Sequence, residues 1–65
     1  MEIIVFGTGK YYQNRRHYLK KDNIIAFLDN DVNKQGKEIE GVTICNPKEA
    51  SRFSYDYIVL MGKRQ

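Results

Sequence analysis

The stretch Ile3-Ile4-Val5-Phe6-Gly7-Thr8-Gly9 constrains this chain more than any other. Its unbroken run of β-branched and aromatic residues is what an interior parallel strand looks like when both faces are covered. The Gly-x-Gly that follows breaks the strand into a sharp turn and lets the backbone approach a phosphate closely. A second apolar run, Ile24 to Leu28, ends in Asp29, placed 22 residues after Gly7. Strand, glycine turn, helix, strand and terminal carboxylate together make a right-handed crossover. The turn can cradle phosphate, and the acid can accept from a ribose hydroxyl. The pattern points to nucleotide recognition and names no reaction.

The rest of the chain limits what can be built on that start. Its 65 residues make at most one small domain, about half of what a complete dinucleotide-binding domain requires. With 42% hydrophobic and 29% charged residues the composition is that of an ordinary globular chain rather than a disordered one. No apolar run approaches a membrane span, and Met1-Glu2-Ile3 is not the basic start of a signal peptide. Cys45 is the single cysteine, which excludes an internal disulfide and makes the cytoplasm the expected compartment. The net charge of +3 is unevenly spread. Lys10, Arg15, Arg16, His17, Lys20 and Lys21 crowd one stretch, which raises a nucleic-acid reading. The plainer reading is the solvated face of a helix whose buried stripe is Tyr11, Tyr12, Tyr18 and Leu19, and it is preferred.

Along the chain, strands are expected at 2–6 and 24–28, with a helix over 10–21 that Asp22-Asn23 breaks. Asn30 to Gly36 reads as a polar loop. Gly36 and Gly41 bracket a short irregular ribbon, which leads into a brief strand at 42–45. Asn46-Pro47 is a helix-start signal for a short helix over 47–53. Tyr55 to Met61 contains the last strong strand, 56–61, and Gly62 to Gln65 reads as a loop.

Several motifs compete for the same residues. The fingerprint Gly-x-Gly-x-x-Gly would require glycine at 12, where this chain has Tyr12. The third glycine permits close helix–strand packing, so Tyr12 implies a helix tilted away or a ring turned aside. Asp29 has two readings, a ribose-binding acid or a loop cap, because Asp29-Asn30-Asp31 is also good turn chemistry. Asp29, Asp31, Asn33 and Glu40 imitate the ligand spacing of a calcium loop, but Lys34 stands where that loop needs glycine. Gly62-Lys63 lacks the earlier glycine of a Walker loop, and no Tyr-x-x-x-Lys pair exists. His17 and Cys45 have no partner evident in the sequence. No catalytic constellation and no metal site are expected.

Phe6-Gly7-Thr8-Gly9, Ala26-Phe27-Leu28-Asp29-Asn30-Asp31, Lys34-Gln35-Gly36, Gly41-Val42-Thr43-Ile44 with Pro47, and Tyr55-Asp56-Tyr57-Ile58-Val59-Leu60 follow one another in order. In this the chain resembles the Rossmann-like N-terminal modules of bacterial surface-polysaccharide enzymes, including nucleoside-diphosphate-sugar epimerase-like proteins and sugar acyltransferases. The resemblance implies a nucleotide-sugar ligand held by Gly7, Thr8, Gly9 and Asp29, with Asn30 and Asp31 beside them. It also implies that chemistry is carried by a separate downstream domain. An NAD-binding epimerase fragment and a ligand-free structural or oligomerisation domain are the alternatives.

The expected fold is therefore α/β, a half-Rossmann three-layer unit. Its parallel four-stranded sheet is ordered 42–45, 24–28, 2–6, 56–61, with helices near 10–21 and 47–53. A complete fold of this kind sends a further helix back over the sheet after its fourth strand. The chain is accordingly expected to be a piece of a longer protein. If it folds alone, it is expected to self-associate through the 56–61 edge or an exposed face.

Overall fold

β1 (Glu2–Phe6) occupies the interior of the sheet, and Ile3, Ile4 and Val5 on it are fully buried. The structure, a computed structural model, describes residues 1–19 and 22–61. After β1 come α1 (Lys10–Arg15), a 3₁₀ segment (Arg16–Leu19) and β2 (Asn23–Leu28). Then follow β3 (Glu38–Ile39), β4 (Val42–Cys45), a 3₁₀ helix (Pro47–Arg52) and β5 (Tyr57–Leu60).

The sheet order is β3-β4-β2-β1-β5. β1 runs parallel to both β2 and β5, and β2 runs parallel to β4, in the expected order. The expected count of four strands is corrected to five, because the ribbon bracketed by Gly36 and Gly41 forms a hairpin. β3 pairs antiparallel with β4. Their two-residue connection, Glu40-Gly41, has φ of 51° and 83°, the double positive of a type I′ turn. That turn matches the right-handed twist of a strand pair, so the ribbon can fold back onto β4.

Two apolar clusters lie on opposite faces of the sheet. Ile3, Val5, Phe27 and Ile44 pack with Tyr12 and Leu19 on one face. Ile4, Ala26, Leu28 and Ile58 pack with Ala50 and Phe53 on the other. The alternation slips once: Ile3 pairs with Ile24 but Ile4 pairs with Ala26, and Ile25 is the extra residue of a bulge. Ile25 and Ala26 consequently share a face.

The helices are shorter and tighter than expected. The α-helix expected over 10–21 is α-helical only to Arg15 and continues as 3₁₀ to Leu19; residues 20 and 21 lie outside the described residues, with the basic pair Lys20 and Lys21. The helix expected over 47–53 is 3₁₀ over Pro47–Arg52. The expected start signal holds, since Asn46 Oδ1 accepts from Lys48 N at 2.8 Å with Pro47 in the first turn. The strand expected over 56–61 is β5, Tyr57–Leu60, and the loop expected at 62–65 lies outside the described residues.

The expected tyrosine stripe is also corrected. Tyr12 is buried and Leu19 half-buried, but Tyr11 is 38% and Tyr18 73% exposed. Two short helical turns present one row of contacts to a sheet, and residues one position off that row swing towards solvent. Tyr18 rests against His17 there, with ring centroids 4.1 Å apart.

Candidate functional site

Gly7 stands at φ 106°, a conformation that side chains rarely tolerate, and its N–H donates to Leu28 O at 2.8 Å. This bond closes the end of β1 onto the end of β2 and brings the glycine turn beside Asp29. Thr8 is buried there. Its hydroxyl donates to Asp29 Oδ2 at 2.6 Å and its N–H donates to the same oxygen at 3.2 Å. Asp29 Oδ1 accepts from Asp31 N at 2.9 Å, and Lys34 Nζ stands 3.9 Å from Oδ2. Burial alone would raise the Asp29 pKa. The Thr8 hydroxyl, the Asp31 and Thr8 amides and the Lys34 charge outweigh it, and the carboxyl titrates below its ordinary range.

Asp29 is therefore a loop cap in its local bonding, and it also faces open space. An ionised carboxylate has about four lone-pair sites. The hydrogen bonds from Thr8 and Asp31 use three of them, which leaves one on Oδ1. Asp31 makes a turn of its own, Oδ1 accepting from Asn33 N at 2.9 Å. Gln35 Nε2 closes the loop by donating to Asp29 O at 2.9 Å.

A cleft of about 430 Å³ opens over this junction. Gly7, Thr8, Gly9, Lys10, Tyr11, Asp29 and Met61 line it. Of the sequence-derived site residues, four meet at the cleft, while Asn30 and Asp31 are exposed on the loop outside its lining. Lys10, Tyr11 and Met61 are additions that sequence reasoning did not assign to the site. The first two directly follow the turn. Met61 follows β5 as Gly7 follows β1, and Met61 N donates to Phe6 O at 2.8 Å. The cleft thus sits outside the carboxyl ends of β2, β1 and β5, where the order of connection reverses about β1.

Tyr12, at the place of the third glycine, has neither been turned aside nor left in the cleft. It is 1% exposed and meets Phe27 edge-on, with ring centroids 5.0 Å apart at 80°. The ring fills the space between α1 and the sheet that a glycine would close. The first helical bond runs from Gln13 N to Gly9 O at 3.1 Å, so the amides of residues 10–12 precede the helical ladder.

The calcium-like spacing does not converge. Glu40, in the hairpin turn, pairs with Arg16 of the 3₁₀ segment after α1, while Asp29 is held by Thr8. Among the described residues, no group of three His, Cys, Asp or Glu side chains could hold a metal ion. No helix among them is long and apolar enough to cross a membrane. Cys45 is a free, half-buried thiol on β4, its pKa raised by burial and then by the Glu49 carboxylate.

Fold and cleft define a mixed α/β module with a mostly parallel sheet and a turn-lined cleft at its carboxyl edge. More particularly, the chain belongs to the C2185-like N-terminal family, whose model matches residues 1–65. No curated protein matches it. Among solved structures it is similar to UDP-D-quinovosamine 4-dehydrogenase from Vibrio fischeri, at 28% identity and a TM-score of 0.67. The match covers 78% of this chain and 44% of the dehydrogenase chain.

Proposed function

We propose that this chain is a half-Rossmann nucleotide-binding module whose ligand is a nucleotide-sugar. Its place is in bacterial surface-polysaccharide biosynthesis, with chemistry supplied by a further domain of a longer protein. Gly9 carries the reading. Gly7 has to be glycine because of its positive φ, but Gly9 lies at φ −85°, and a Cβ built on it would meet nothing within 4 Å. The fold has no need of glycine there. A ligand in the cleft does, because a side chain at Gly9 would stand between it and the turn.

Three further observations support the reading. The cleft lies at the switch point of a mostly parallel sheet, Asp29 lines it with one acceptor site unused by the bonds from Thr8 and Asp31, and a solved structure of similar fold is a UDP-sugar dehydrogenase. Tyr12 favours a nucleotide-sugar over a dinucleotide, since its ring holds α1 off the sheet where the dinucleotide fingerprint brings helix and strand close. The test is calorimetric titration of the chain with UDP-sugars, UDP and NAD, beside Gly9→Ala and Asp29→Asn. Gly9→Ala is expected to leave thermal stability unchanged and to weaken UDP-sugar binding about tenfold or more. Asp29→Asn is expected to weaken it through loss of a charge-assisted bond, by roughly 1.5–3 kcal/mol. A wild-type chain that binds none of the ligands overturns the reading in favour of a ligand-free structural domain.

A further inference from the structure

The cleft has two unlike ends. Asp29 follows β2, Met61 follows β5, and the glycine turn after β1 lies between them. A ligand whose ribose reaches Asp29 and whose diphosphate crosses the turn must therefore place its remaining group on the β5 side. What lines the cleft besides the turn and Asp29 is Tyr11 and Met61, with Lys10 at the exposed rim. Tyr11 is not a free surface side chain. The Arg15 guanidinium, one helical turn later, stands 4.5 Å from its ring centroid and braces the ring. A braced, 38% exposed aromatic ring in a cleft that a buried methionine also lines offers an apolar surface near the glycine turn.

We propose that Tyr11, braced by Arg15 and sharing the cleft lining with Met61, is the platform on which the sugar ring of a nucleotide-sugar stacks. Tyr11 thereby sets the preference of this site for a UDP-sugar over UDP. The inference rests on the nucleotide-sugar reading of the cleft and adds to it the orientation of the ligand and a specificity residue. An aromatic face attracts the C–H-bearing face of a pyranose through its negative quadrupole and excludes water from it. UDP bound in this orientation keeps its uracil at the Asp29 end and lays nothing on that surface.

The experiment compares affinities for UDP, UDP-glucose and UDP-N-acetylglucosamine in wild-type chain, Tyr11→Ala, Tyr11→Phe and Arg15→Met. Wild type is expected to prefer a UDP-sugar over UDP by about fivefold, the size of one stacking contact. Tyr11→Ala is expected to bring that ratio to about one while changing UDP affinity by less than about twofold. Tyr11→Phe keeps the ring and the ratio, which separates stacking from loss of fold, and Arg15→Met falls between. A ratio that survives in Tyr11→Ala overturns the inference, as does a wild type that binds UDP and UDP-sugars equally; both leave the cleft a nucleotide site. A wild type that binds neither overturns the nucleotide reading and the platform with it.

Discussion

The Thr8 hydroxyl donates to Asp29 Oδ2 at 2.6 Å and ties the turn after β1 to the end of β2. Through this contact one carboxylate both caps the loop and lines the cleft. Thr8 is almost fully buried, and a bond from its hydroxyl to a charged acceptor is worth about 1.5–3 kcal/mol. Thr8→Val keeps the shape and leaves Asp29 short of a donor. The expected result is a loss of stability of that size in urea unfolding, with a much smaller loss when Asp29→Asn is already present.

The same contact gives stability a pH dependence. Asp29 titrates lower in the folded chain than in the unfolded one, so its contribution is fully present above the unfolded value of about 3.9. It is lost as the pH falls through the lower folded value. Wild type is therefore expected to exceed Asp29→Asn in stability at neutral pH, and the difference should vanish in strong acid. Urea midpoints measured from pH 7 down to pH 2 check this; a constant difference would show that the carboxylate charge is irrelevant.

Restoring the missing third glycine is expected to harm the protein. Tyr12 is buried against Phe27 and joins α1 to the cluster formed by Ile3, Val5 and Ile44. Tyr12→Gly removes a whole core ring and adds backbone freedom within a short helix, a loss of about 3–5 kcal/mol. For a domain of this size that is most of the stability, and circular dichroism is expected to show a largely unfolded chain at 25 °C. A cooperative melt near the wild-type temperature would mean that α1 can close onto the sheet without the ring.

Cys45 is expected to be a slow thiol. Burial and the nearby Glu49 carboxylate both raise its pKa, so little thiolate exists near neutrality. Iodoacetamide should modify it more slowly than a free cysteine at pH 7.5, with the rate still rising above pH 9. Unfolding in urea should remove the difference.

Among the described residues β5 is an edge strand of the sheet, and Leu60 on it is 76% exposed, with Tyr57 40% exposed. No Lys, Arg or Pro interrupts Tyr57–Leu60 to discourage another strand. The proposed outcome is self-association through this edge at micromolar concentration, reversed by Leu60→Lys. Sedimentation velocity of the two chains decides it, and a wild type that sediments as a monomer throughout would rule it out.

The sequence by itself determined four of the five strands and their order. A short β-branched apolar run suits the interior of a sheet, a glycine turn forces the break after β1, and right-handed crossovers with a switch flanking that turn give the order β4, β2, β1, β5. It also placed Gly7, Thr8, Gly9 and Asp29 at one end, because parallel strands bring their carboxyl ends together. What it left open depends on contacts between distant residues. Whether Tyr11 or Tyr12 enters the core follows from the rotation of a two-turn helix against Phe27, since both side chains are equally apolar. Glu40-Gly41 closes a hairpin only because β4 is already held by β2, and a strand pair as short as β3–β4 has too little local energy to form alone. Asp29 reads equally well as cap or ligand acid along the chain. Only the approach of Thr8, 21 residues away, determines that its oxygens are mostly engaged while the residue lines the cleft.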